Sequence, residues 1–250
     1  MSQKINPYWY PKEYFYVQVC FARKFSEITG MMFEDSLLTK TGLHWRVGGA
    51  SYKDNKKTEE WVQAFDPHLN NEELTDKFFD VFIRRSDSFF DPKHNEFGAF
   101  SYWYNPENQK VKLHYENLFK GEKSPLSIDF FDDRIADLKK MFSDIKAKCP
   151  MAVEVTGSSW LYQLPAYKRL FPKMFINNLR NVTYEEIIFS SDSLWGQFLD
   201  SKGNIKKDLE IQFVDSIEKA SSLEELLDSF PLYPMCSSAP IQCFYSHYGV

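Results

Sequence analysis

The segment SIDFFDDRIADLKKMFSDIKAKCP, Ser127 to Pro150, decides how the rest of the chain is read. Ile128, Phe131, Ile135, Leu138, Phe142 and Ile145 step by three and four, which puts them on one stripe of an α-helix. Asp129, Asp132 and Asp133 fall where the helix dipole is positive, Ser127 precedes them as a candidate cap, and Cys149-Pro150 closes the run. A long amphipathic helix over about 127–147 needs an apolar surface to cover. The flanking sequence supplies one.

Upstream, 97–104 and 110–118 are aromatic or β-branched runs on either side of Asn105-Pro106-Glu107-Asn108, a turn signal. Val111, Leu113 and Tyr115 alternate with Lys112 and His114, as in a strand with one wet face. Downstream, Ala152–Thr156 alternates in the same way and runs into Gly157-Ser158-Ser159-Trp160. A short helix is expected near 165–170, and Phe175–Arg180 reads as a further strand. The segment 97–180 therefore predicts an antiparallel hairpin (about 97–118) and a small sheet packed against the long helix.

The remainder reads as helical. Val17, Phe21, Phe25 and Ile28 share a helical stripe stopped by Gly30, and a short helix follows to Lys40. Thr58 caps a brief helix carrying Trp61, Val62 and Phe65. Asn70 or Asn71 opens another with Leu74, Phe78 and Phe82 inside, and 44–57 between them reads as loop. Later, Thr183 with Glu186 and Ser222 with Glu225 have capping-box spacing. Ile205, Leu209, Phe213 and Ile217 form an inner stripe, and 240–248 reads as a short helix ended by Gly249. The fold class is α+β: a helix-rich single domain over 1–250, with a helical N-terminal subdomain over 1–95 as the alternative.

With 250 residues the chain can bury a core without metals or disulfides. That core is ring-rich, since 23 Phe, 14 Tyr and 6 Trp make 17% of the sequence aromatic and each buried ring removes about 150–250 Å² from water. The net charge is −5, from 30 basic and 35 acidic residues. The basic residues cluster no further than pairs such as Lys56-Lys57 and Lys139-Lys140, so a nucleic-acid partner is not expected. Met1–Pro11 lacks the features of a signal peptide, and the near-apolar run Tyr14–Ala22 is too short to cross a membrane. These features point to the cytoplasm and to no membrane partner.

No cofactor or metal is expected. Cys20, Cys149, Cys236 and Cys243 form no C-x-x-C pair, and the five histidines show no ligand spacing. His114-Tyr115-Glu116 matches half of a zinc-deaminase signature but lacks the downstream cysteine pair. Asp200–Asn204 resembles a calcium loop with Lys202 at a ligand position and Ile205 where glycine is required. Neither Gly42 nor Gly48 opens a phosphate loop.

Two constellations remain. Gly157-Ser158-Ser159-Trp160-Leu161-Tyr162, continuing to Tyr167 and Arg169, reads as a strand end that could present backbone N–H groups, two hydroxyls and a guanidinium to an anion. His44-Trp45-Arg46 before Gly48-Gly49 is the second, because arginine is scarce, at seven against 23 lysines, and suits planar contacts. Ser158, Ser159, Trp160, Tyr162, Tyr167, Arg169, Arg46 and His44 are therefore the candidate ligand-binding residues. They suggest a small anionic molecule held in an aromatic-lined pocket, by a binding protein or an enzyme. The alternative is a non-catalytic interaction protein or homo-oligomer that uses exposed aromatics.

Ser-Ser-Trp-Leu-Tyr at 158–162, YKRLFP at 167–172, LWGQFLD at 194–200 and FYSHYG at 244–249 together resemble a family of uncharacterised bacterial proteins. The resemblance implies one domain in a bacterial cytoplasmic protein, and brings no assigned activity with it.

Overall fold

The computed structural model describes residues 10–48, 57–85, 97–117, 121–190 and 192–250. Gly49, most of the expected 44–57 loop and Leu118 at the hairpin end lie outside the described residues. The chain divides into two compact units, one from 1–90 with 188–231 and one from 91–187 with 232–250. The helical unit thus includes a second stretch, 188–231, beyond the subdomain considered over 1–95.

In chain order the elements are α1 (Lys12–Thr29), α2 (Phe33–Lys40), α3 (Leu43–Val47), α4 (Glu59–Ala64), α5 (Asn71–Arg85), β1 (Phe100–Asn105) and β2 (Lys110–Tyr115). There follow α6 (Phe131–Lys148), β3 (Glu154–Ser159), α7 (Pro165–Lys168), α8 (Lys173–Asn177), β4 (Arg180–Asn181) and α9 (Asp192–Trp195). The chain ends with α10 (Lys207–Lys219), α11 (Leu223–Asp228), β5 (Met235–Pro240) and α12 (Ile241–Tyr248). The fold is helix-rich α+β with an open five-stranded mixed sheet.

In the helical unit α1 is the axis. Tyr14, Phe15 and Val17 through Ala22 are all buried, because α2, α5, α10 and α11 pack around it and a helix enclosed on every side is apolar all round. Phe21 meets the rings of Phe189, Trp195, Phe213 and Phe230. Local signals fix the ends. Gly30 stops α1 in the left-handed region at φ 73°, Thr58 accepts from the Trp61 N–H, and Asn70 and Glu73 exchange side-chain-to-backbone bonds of 2.9 and 3.0 Å.

In the second unit the strand order is β1-β2-β3-β5-β4. The β1–β2 hairpin is antiparallel. β3 runs parallel to β2, because α6 carries the chain back across the sheet as a crossover. Leu138, Met141, Phe142 and Ile145 of α6 are buried in one cluster with Phe100, Val111, Leu113 and Val155. The long helix thus covers the inner sheet face. It begins later than its stripe suggests: Ile128–Phe130 is a 3-10 turn, Ile128 is 68% exposed, and no side-chain bond from Ser127 caps the turn.

Two expectations are corrected. Phe175 is in helix α8, its ring fully buried, and the strand expected over 175–180 reduces to the two residues of β4. The start of the expected 44–57 loop lies in helix α3, Leu43–Val47. Gly157-Ser158-Ser159 forms the strand end read from the sequence, closing β3 in pairing with Ser237, Cys236 and Met235 of β5. The glycine is there for space. A Cβ at Gly157 would lie 2.2 Å from the Tyr162 hydroxyl, which closes over the strand from the next turn.

Candidate functional site

The residues gathered from 158–169 separate once β3 is built. Side chains alternate across a strand, so Ser158 faces the open side of the sheet and Ser159 the inner side. Ser159 is committed there, accepting from the Leu161 N–H at 3.1 Å to cap the turn Trp160–Gln163. Trp160 is half-buried against the core. Tyr162 and Tyr167 are core residues, 1% and 2% exposed, with their ring centres 5.1 Å apart. Burial pushes both phenols well above their ordinary pKa. Arg169 is exposed, but its guanidinium donates to the Leu126 carbonyl at 2.8 Å and lies over the Phe131 ring. Only Ser158 keeps a hydroxyl on an open surface.

His44 and Arg46 belong to the helical unit, where they form a buried polar brace. The Gly42 N–H donates to Gln18 Oε1 at 2.8 Å, and Gln18 Nε2 donates to the Tyr14 carbonyl. Arg46 donates to the Gly42 carbonyl at 2.8 Å, with its guanidinium 4.1 Å from the centre of the Tyr10 ring. The backbone bond tying His44 Nδ1 to the Thr41 carbonyl makes that nitrogen a donor. His44 is 5% exposed, and burial lowers its pKa to about 4.

Between about pH 6.5 and 4 the unfolded chain takes up a proton on His44 that the folded chain refuses, so stability falls as pH falls through this window. The loss attributable to His44 is on the order of 3 kcal/mol at most. Urea unfolding of wild type and His44→Gln across this range should give difference curves that converge as the medium acidifies. Parallel curves would show that His44 is not held neutral.

The surface that carries free polar groups is the outer face of the sheet. Cross-strand register sets Trp103 beside Lys112, Lys112 beside Thr156, and Thr156 beside Ser238. One step along, Ser101 pairs with His114, and Ser158 pairs with Cys236, itself beside Arg180. The β2–β3 register carried two residues on puts His114 next to Ser158. Arg180 is engaged by both Glu186 oxygens, at 2.6 and 2.7 Å, and Lys110 by Glu154 at 2.6 Å. Lys112 differs. It is half-buried, burial lowers its pKa, and no carboxylate pairs with it among the described residues. The hydroxyls of Ser101 and Ser158 and the His114 ring likewise have no hydrogen-bond partner among the described residues. His114 presents an exposed side chain, yet enough chain surrounds it that burial, aided by Lys112, lowers its pKa to about 4.

In the sequence Lys112 and His114 stand out as the wet side of an alternating strand, and His114 otherwise only as half of an incomplete zinc-deaminase signature. What makes them a group is the neighbouring strand, and the register with Thr156 and Ser158 has no signature within 110–115. The Asp200–Asn204 turn holds itself together, with the Asp200 carboxylate accepting the N–H groups of Lys202 and Asn204 at 2.8 and 2.9 Å. Among the described residues no cluster of His, Cys, Asp and Glu could hold a metal ion, and no helix is long and apolar enough to cross a membrane. No family model, curated protein or solved structure matches the chain.

Proposed function

We propose that the protein binds a small anionic molecule, a carboxylate or phosphate, on the outer sheet face around Lys112. The observation that carries this reading is the half-buried Lys112 ammonium without an acidic partner among the described residues. Burial of an unpaired charge is unfavourable, and an anion would supply the missing counter-charge. Ser101 and Ser158 offer hydroxyl donors beside it, and the Trp103 ring, 57% exposed, offers a flat apolar wall. The reading is one of binding rather than turnover. An activated serine needs its base in contact, and no hydrogen bond joins His114 to Ser158. The bacterial cytoplasmic setting implied by the resemblance is part of the same reading.

Thermal shift with inorganic phosphate, citrate and other carboxylates and phosphates tests it. A ligand present at 100 times its Kd should stabilise the fold by about 2.7 kcal/mol. Lys112→Gln should abolish the shift and Ser158→Ala weaken it, whereas Arg169→Ala should leave it intact because that guanidinium is already committed to Leu126. No stabilisation by any anion, or a shift that survives Lys112→Gln, would rule the site out.

A further inference from the structure

The free edge of β1 has a geometry that closes on itself. The Ala99 carbonyl accepts from the Glu116 N–H at 2.9 Å, which fixes the parity of the hairpin: Ala99, Ser101, Trp103 and Asn105 turn their backbone groups toward β2, and Phe100, Tyr102 and Tyr104 turn theirs away. The chain itself uses the first of these, since the Phe100 N–H donates to the Phe97 carbonyl at 3.1 Å. The N–H and C=O groups of Tyr102 and Tyr104 have no partner among the described residues. They flank Trp103 symmetrically, and Trp103 is the most exposed side chain of the strand. FSYWYN carries no charge, proline or bulge, the usual devices that blunt a sheet edge.

We infer that β1 pairs antiparallel with β1 of a second copy of this chain, about a two-fold axis at Trp103. Tyr102 of one copy then exchanges both backbone hydrogen bonds with Tyr104 of the other, and Tyr104 with Tyr102. The N–H and C=O groups of Tyr102 and Tyr104 on each edge are then satisfied. Trp103 opposes its own copy in a non-hydrogen-bonded pair, where side chains stand closest, with Cα atoms about 4.5 Å apart. Two exposed indoles thereby cover each other, and aromatic pairs of this kind stabilise sheets.

The occupant is a second copy because the pattern is its own complement. The triplet Tyr102-Trp103-Tyr104 reads the same about its centre, and the strand, with no charged side chain, brings no like charges into contact. The nearest cations on that face, the two Lys112 residues, would sit three strand spacings apart, roughly 14 Å, beyond the screening length of about 8 Å at physiological salt. The pairing is also self-limiting. The opposite sheet edge is β4, only two residues long, so an isologous pair closes where a head-to-tail contact would propagate. None of this depends on the anion site, and the test needs no ligand.

Sedimentation equilibrium of the full chain over a concentration series should show a reversible species of twice the 29.5 kDa chain mass. Trp103→Lys should raise the dimer dissociation constant about tenfold or more. Tyr104→Pro should do the same while circular dichroism stays native, because the lost N–H faces away from β2 and edge strands tolerate proline there. Under oxidation Trp103→Cys should give a disulfide-linked dimer that wild type does not form, its Cα separation lying within disulfide range. A monomer at every concentration, or a dimer unmoved by both Trp103→Lys and Tyr104→Pro, overturns the inference.

Discussion

Replacing Trp195 with alanine is expected to destabilise the helical unit by on the order of 3–5 kcal/mol. The indole is fully buried, at 5.3 Å from the Phe21 ring, 5.2 Å from Phe230 and 6.2 Å from both Phe198 and Phe213. Its N–H donates to the Phe189 carbonyl at 2.6 Å. Truncation removes the largest ring of this cluster and leaves a void that neighbouring aromatics, stiff and already in mutual contact, cannot collapse to fill. It also strips a buried carbonyl of its donor, a loss of about 1–3 kcal/mol in its own right. Trp160→Ala is the control. That ring is half-buried at the margin of the other unit's core, so the same truncation should cost less than half as much. Urea unfolding of the two variants reads the difference directly. A Trp195→Ala loss below about 1 kcal/mol would mean that the five rings do not form a close-packed cluster.

The contrast between the two tryptophans shows what the sequence could and could not convey. A helix writes its core face into its own residues at three- and four-residue steps, so α6 and the stripe Leu138, Phe142 and Ile145 are visible without any partner. Caps are equally local, and Thr58, Asn70, Gly30 and the Thr183–Glu186 pair are found where their chemistry places them. Sheets are written across distant segments. β5, Met-Cys-Ser-Ser-Ala-Pro, has none of the branched or aromatic residues that announce a strand, yet it lies between β3 and β4. Its small side chains suit close packing: Ser237 donates to the Phe175 carbonyl of α8.

The same limit governs the candidate site. Ser158, Ser159, Trp160, Tyr162 and Arg169 are adjacent in sequence, and adjacency suggested a common surface. A strand alternates and a 3-10 turn rotates, so these neighbours are dealt to opposite faces and into the core. Lys112, His114 and Ser158 are far apart in the chain and share one face. Their grouping depends on register, which is set by the apolar residues Val111 and Val155 on the other side of the sheet.

Gly157 gives the sharpest test of that geometry. Gly157→Ala should cost about 1–3 kcal/mol, the usual range for forcing a methyl group into a filled interior, because the new Cβ would stand 2.2 Å from the Tyr162 hydroxyl oxygen. The strain has one dominant source. With the hydroxyl removed, the nearest remaining atoms would be Cζ of Tyr162 at 3.1 Å and Cζ of Phe175 at 3.4 Å, which a shift of a few tenths of an ångström relieves. Tyr162→Phe alone removes one buried hydroxyl and should change stability by about 1.5 kcal/mol at most. In that background Gly157→Ala should cost less than about 1 kcal/mol, so the double variant is more stable than the sum of the single changes predicts. Equilibrium urea unfolding of the four proteins closes the cycle. Equal costs of Gly157→Ala with and without the hydroxyl would show that Tyr162 does not close over β3, and the inner face of the sheet would need a different packing.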